Sequence, residues 1–175
     1  MNLVKYFIVS IFYIIILCLI QISILNPSFI GCFSYIYILF ILVYPYNGNN
    51  VLFLLLSFFI GYIIDNCLNT GGIHAFSTTL SAFLRRKLLQ FFDGKSFIIN
   101  RKDFSIDELP FIRKTFYIFS LILIHHFSLL ILKIFKGTAF SIILLLRTIF
   151  DSIFTTILCI VYFFLKKKRN IEKIT

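Results

Sequence analysis

The chain has 175 residues, of which 60% are hydrophobic and only 14% charged, with a mean hydropathy of +1.00 and a formal net charge of +10. This composition excludes a soluble globular domain and leaves room for five or six apolar crossings of roughly 20 residues each, the mark of an all-α integral membrane protein. The basic residues flank apolar segments instead of covering a soluble face, so lipid headgroups and topology account for them and nucleic acid does not.

In chain order, a first helix is expected over residues 4–25. Lys5 precedes an apolar run that is too long for a signal-peptide core and has no small-residue cleavage signal, so the run reads as a retained crossing. Asn26-Pro27 ends it, because proline disfavours helical geometry in the residue before it. A short second helix, over 32–44, stops at the turn-forming Pro45-Tyr46-Asn47-Gly48, and its length implies tilt or a locally thinned bilayer. The third helix, over 51–66, is followed by the brief Asn69-Thr70-Gly71-Gly72 turn, which sends a fourth helix, over 73–89, back antiparallel against it. Arg85-Arg86-Lys87 ends the apolar part of that helix and opens a basic surface loop over 85–114, in which Ser105-Ile106-Asp107-Glu108 before Leu109-Pro110 has the form of a helix entry. The fifth helix covers 111–135, with Lys133, Lys136 and Gly137 at its end. The sixth covers 139–165 and is closed by Lys166-Lys167-Lys168-Arg169, the start of a basic tail over 166–175.

With alternate connections assigned to alternate sides, the N-terminus, the 44–50 turn, the 85–114 loop and the tail collect nearly all the Lys and Arg, leaving Lys133 and Lys136 opposite. The positive-inside rule then places both termini in the cytoplasm and favours six spans in a single transmembrane domain.

The polar residues inside the apolar runs are the candidates for function. Ser57, Gly61 and Asp65 recur at a spacing of four, which makes a groove on one helix face with an acid at its end. Ala75, Thr78, Thr79 and Ala82 make a second small-residue stripe, and the two stripes are expected to pack together. Asp65, Asn66 and Asn69 are placed to accept bonds from the free N–H groups that open the fourth helix. Arg147 and Asp151 lie one turn apart in the sixth helix, with Thr148, Ser152, Thr155, Thr156 and Cys159 extending the same polar side. An unpaired arginine at mid-membrane costs roughly 2.5 to 3.5 kcal/mol, so the pair is expected to face other helices and to be structural before it is a ligand site.

His125-His126 could be drawn together with His74 and Asp65 as a metal or acid–base cluster. Adjacent helical residues point about 100° apart, however, and the spacing that puts two imidazoles on one face is missing. One histidine is expected to meet the Arg147 helix and the other to sit near small residues. Cys18, Cys32, Cys67 and Cys159 have no CxxC spacing, and Cys18 and Cys159 lie within apolar runs as small hydrophobes, so neither disulfide nor zinc is assumed. No nucleophile elbow, catalytic Cys–His pattern or phosphate loop is present, and no catalytic residue, metal or cofactor is expected.

Three separated segments carry a resemblance. They are Tyr35-Ile36-Tyr37-Ile38-Leu39 ending at Pro45; Gly61, Asp65, Asn69-Thr70, Gly72, His74 and Ala75; and Ile124-His125-His126-Phe127 followed by Leu145-Leu146-Arg147-Thr148. In order and spacing the chain resembles the MreD family of bacterial rod shape-determining membrane proteins, in the form found among Bacteroidetes-type bacteria. The resemblance implies a six-helix protein of the inner (cytoplasmic) membrane, with a fold like the substrate-binding subunits of energy-coupling-factor vitamin transporters. It implies no enzymatic activity, and a role as adaptor in cell elongation and peptidoglycan synthesis. The implied partners are the periplasmic scaffold MreC, the cytoplasmic MreB filament, and the glycosyltransferase RodA with its transpeptidase. On this reading the groove around Gly61, Asp65, Gly72 and His74 shapes the outer face presented to MreC, and Arg147 holds the sixth helix in the bundle. Two departures stand out: Gly71-Gly72 where many relatives carry a proline, and Asp151 where a small polar residue is expected. The alternative is a vitamin-transporter substrate-binding subunit, against which stand the absence of Trp and a sparse polar lining. An intramembrane enzyme is the third reading and would depend on Asp65 or His125.

Overall fold

The computed structural model describes residues 3–23, 34–46, 49–93 and 106–172, and among these every regular element is helical. The six α-helices are α1 (Leu3–Ser23), α2 (Leu39–Val43), α3 (Asn50–Leu68), α4 (Ile73–Asp93), α5 (Phe111–Phe135) and α6 (Ile142–Glu172). A 3-10 turn at Ile36–Ile38 leads into α2, and a second lies at Ile106–Glu108. Among the described residues three segments are helices long and apolar enough to cross a membrane: Asn50–Leu68, Phe111–Phe135 and Ile142–Lys167. Their outer faces are apolar. In α6, for example, Ile142, Leu146, Phe150, Ile153, Ile157, Val161 and Phe164 are exposed in a helical stripe. A helix of spanning length whose exposed face is apolar belongs in lipid, and the protein is membrane-embedded.

Helices α3, α4, α5 and α6 pack in sequence, each on the next, while α1 and α6 flank the segment that carries α2. One end of the bundle holds the α3–α4 turn and the α5–α6 turn, tied together by Lys136, whose Nζ donates to the carbonyls of Thr70 and Gly71. At the other end Tyr46 OH meets Tyr117 OH at 2.9 Å, and Asp107 bonds Lys114 at 2.8 Å and Lys166 at 3.1 Å.

Several boundaries differ from the sequence expectation. The second helix, expected over 32–44, is a 3-10 turn plus five α-helical residues, together about 13 Å long and too short to cross a 30 Å core alone. The fourth helix continues to Asp93 instead of stopping at residue 89, so the loop expected over 85–114 begins with two more turns of helix; residues 94–105 lie outside the described set. Charge ends an apolar pattern without ending a helix, since Arg, Lys, Leu and Gln are all good helix formers. The helix entry at 106–108 is a 3-10 turn, and α5 starts after Pro110, which makes no side-chain cap bond. Asp107 binds Lys114 and Lys166 instead of a helix N-terminus. The sixth helix begins at Ile142 and runs on through the basic cluster to Glu172. Cys32 and the N-terminal and C-terminal ends of the chain fall outside the described residues.

Candidate functional site

The α3–α4 junction is built from the two small-residue stripes. Gly61 lets the backbones touch: a Cβ there would sit 2.5 Å from Ala75 Cα and 2.6 Å from the His74 carbonyl oxygen. One turn further along α3, the buried carboxylate of Asp65 accepts from His74 N at 3.0 Å, Ala75 N at 2.7 Å and Thr70 Oγ1 at 2.5 Å. Asp65 therefore caps α4 from the end of α3, where an anion also meets the positive end of the helix dipole. The chain turns in so little space because Asn69, Gly71 and Gly72 all have positive φ, of 57°, 63° and 91°. Of the three residues expected to serve the turn, Asp65 alone bonds α4; Asn66 donates to Tyr62 O, and Asn69 closes α3 in the left-handed conformation. Ser57, Gly61, Asp65, His74 and Ala75 are all buried in this contact, with Ser57 Oγ turned back to Phe53 O. The groove is filled by α4, and of the groove residues Ser57, Gly61, Asp65, Gly72, His74 and Ala75 only Gly72 is exposed.

The second feature is the segment 34–46, which lies within the bundle as irregular backbone leading into a 3-10 turn and a short helix. At membrane depth such backbone is tolerated only where protein satisfies its polar groups. Three side chains from three helices do so. Gln21 of α1 donates to Ser34 O at 2.9 Å and accepts from Ile36 N at 2.9 Å, and Thr155 of α6 accepts from Tyr35 N at 3.4 Å. Arg85 of α4 donates to Ile41 O at 2.7 Å and Tyr44 O at 2.6 Å, with its guanidinium 3.6 Å from the Tyr46 ring centroid. Sequence reading placed Arg85 at a surface boundary. The structure leaves it only 3% exposed. The signal that could have found it is spacing: of the Arg85-Arg86-Lys87 run, Arg85 alone falls seven residues past Thr78, four past Ser81 and three past Ala82, on the helix face that those three share.

This segment carries Tyr35 and Tyr37 into a cluster with all three histidines. The Tyr37 hydroxyl lies 2.7 Å from His74 Nδ1 and 3.1 Å from His125 Nε2. The short contact fits O–H donating to His74 Nδ1 and the longer one fits His125 Nε2–H donating to the phenol oxygen. His125 Nδ1 is buried and has no hydrogen-bond partner among the described residues. His126 turns to α6: its Nδ1 is 3.0 Å from Ile122 O and its Nε2 is 3.5 Å from Thr155 Oγ1. The Tyr35 ring touches all three imidazoles, with centroids 5.1 to 5.8 Å apart. His126 thus meets the Arg147 helix as expected, whereas His125 joins a tyrosine–histidine network that spacing did not reveal. Among the described residues no group of three or more His, Cys, Asp or Glu is arranged to hold a metal ion.

His126 and Tyr35 also form the inner wall of a cavity of about 250 Å3 between α5 and α6, whose charged lining is Lys133, Arg147 and Asp151. Asp151 is buried, but Arg147 is exposed. The expectation of an arginine at mid-membrane is corrected by the helix start: Arg147 is five residues from Ile142, about 8 Å along the axis, close enough to the end of α6 for its side chain to reach the interface.

At the opposite end of the bundle Asp107 joins the first turn of α5 to the end of the α6 span. Partial burial pushes its carboxyl up, but the hydrogen bonds and charges of Lys114 and Lys166 outweigh that and hold it below the ordinary value of 3.8. Comparison with protein-family models, with curated proteins and with solved structures gives no match.

Proposed function

We propose that this protein is a non-enzymatic scaffold of the bacterial inner membrane, an adaptor of the MreD type with both termini in the cytoplasm, in which the short α2 and its irregular flanks together make the second of six passages through the bilayer. The observation that carries the reading is the placement of Asp65. The acid that an enzyme or transporter would keep available is instead bonded to Thr70, His74 and Ala75, where it locks α3 to α4. Around it, Gly61 brings two backbones into contact and Arg85 and Gln21 fasten the irregular segment, all of which favours one stiff arrangement over a moving one. A rigid module of this kind suits a part that couples a periplasmic MreC-like scaffold to a cytoplasmic MreB filament and to RodA with its transpeptidase. In this role the Gly71–Gly72 turn, at the end away from the basic loop and tail, is the surface offered to MreC. The test is detergent-stable co-purification with an MreC-like partner, together with cell width after depletion. Capture of the partner and widened cells are expected; failure of capture with normal width would remove the reading.

A second reading rests on the cavity between α5 and α6. With Lys133, Arg147, Asp151, His126 and Tyr35 in its wall, it has the polarity for a small charged ligand, as in a vitamin-transporter substrate-binding subunit. Purified protein that carries a vitamin, or gains thermal stability from one, would favour it.

A further inference from the structure

A larger cavity, of about 500 Å3, opens beside the first turn of α3, between Asn50 and the α4 residues 82–90; on the proposed topology this is the cytoplasmic end. Its floor is apolar, made by Phe53, Leu54 and Phe83, and its cationic wall is Arg85, Arg86 and Lys87. Among the described residues none of the side chains that line it is an acid. Arg85 is the telling residue. It is buried, it is held by two carbonyl oxygens and the rings of Tyr46 and Phe53, and no carboxylate among the described residues reaches it. The two carbonyls take two of its N–H donors but leave a full positive charge in the protein, and a buried charge is costly without a counter-charge. Arg86 and Lys87 are exposed and add two more charges at the mouth. A cationic rim over an apolar floor at the end of a membrane helix matches a ligand with a phosphate at one end and hydrocarbon at the other.

We propose that this cavity is a specific binding site for an anionic phospholipid of the inner leaflet. Its headgroup phosphate is held by Arg86 and Lys87 in the field of Arg85, and an acyl chain lies along Phe53, Leu54 and Phe83. The site differs from general attraction of a basic protein to a charged membrane because it pairs a buried cation with a cavity. Occupancy neutralises the charge that Arg85 brings to the α2–α4 contact, so bound lipid stabilises the bundle as well as adhering to it.

The experiment uses the full chain purified in a neutral detergent, with phosphatidylglycerol or phosphatidylcholine added, and reads bound lipid by native mass spectrometry and stability by thermal melting. Phosphatidylglycerol is expected to bind at least about tenfold more tightly than phosphatidylcholine and to raise the melting temperature. Arg86→Gln with Lys87→Gln removes two exposed cations and is expected to weaken phosphatidylglycerol about 30-fold. Arg113→Gln with Lys167→Gln removes equal charge from exposed positions outside the cavity and is expected to change binding little. Equal binding of the two lipids, or equal losses in the two double variants, would overturn the site. Protection by glycerol phosphate as strong as that by the lipid would assign it to soluble phosphates, and protection by an acidic peptide where phosphatidylglycerol gives none would assign it to a protein partner. Either outcome also overturns the proposal.

Discussion

Gly61→Ala tests the central packing claim through the sign of its effect. The added Cβ would lie 2.5 Å from Ala75 Cα, 2.6 Å from His74 O and 2.7 Å from Ala75 N, all of them backbone atoms that no rotamer can move. Ordinary carbon contacts are about 3.5–4.0 Å, so α3 and α4 would have to part by roughly 1 Å. Overpacking of this kind costs about 1–3 kcal/mol, while replacing a helical glycine by alanine returns about 0.5–1 kcal/mol. The Asp65 cap sits one turn away and would be pulled off the His74 and Ala75 amides by the same movement. A net loss of about 1–2 kcal/mol is therefore expected, read as a lower melting temperature in detergent. Adding Ala75→Gly should not restore it, because the contacts are to the Cα, N and O atoms of the chain and not to a side chain. If Gly61→Ala instead raised the melting temperature, the helix-propensity gain would be acting alone and the close α3–α4 contact would be refuted.

Asp65→Ala removes the bonds to Thr70, His74 and Ala75 and is expected to cost at least the roughly 0.5–2 kcal/mol of a helix N-cap, whereas the exposed Asn66→Ala should cost much less; equal melting temperatures would refute the capping role. Tyr37→Phe takes the shared hydroxyl from His74 and His125 in a buried site and is expected to destabilise by about 1–3 kcal/mol, a loss that thermal melting would detect and whose absence would dissolve the network. Because the Asp107 carboxyl is held below 3.8, its contribution to stability is fully present above that pH and disappears as pH falls through and below it. Melting curves between about pH 6 and about pH 3 should show this loss, and Asp107→Asn should abolish that part of the acid sensitivity.

The membrane class, the helical character and the antiparallel α3–α4 pair were legible because they rest on local patterns. These are runs of apolar residues, a spacing of four between Ser57, Gly61 and Asp65, and the Asn69-Thr70-Gly71-Gly72 turn, in which the positive φ values fall on the asparagine and the two glycines. The separate directions of His125 and His126 were legible for the same reason, since helix geometry alone sets them. The segment 34–46 was not, because its apolar composition is the same whether it forms a full crossing or a short helix with irregular flanks. The difference lies in Gln21, Arg85 and Thr155, which reach it from helices distant in sequence.

The amino-acid order alone determined the solvent this protein lives in and the pairing of neighbours across tight turns, since hydrophobicity and backbone preference act over one or two helical turns. Tertiary structure alone decided which charges are buried. Arg85 and Arg86 are adjacent in the chain, yet one is enclosed by the carbonyls of residues 41 and 44 and the other faces outward. Burial of a charge depends on the dipoles and rings that other segments bring to it, and those are assembled only when the helices close around the short α2 segment.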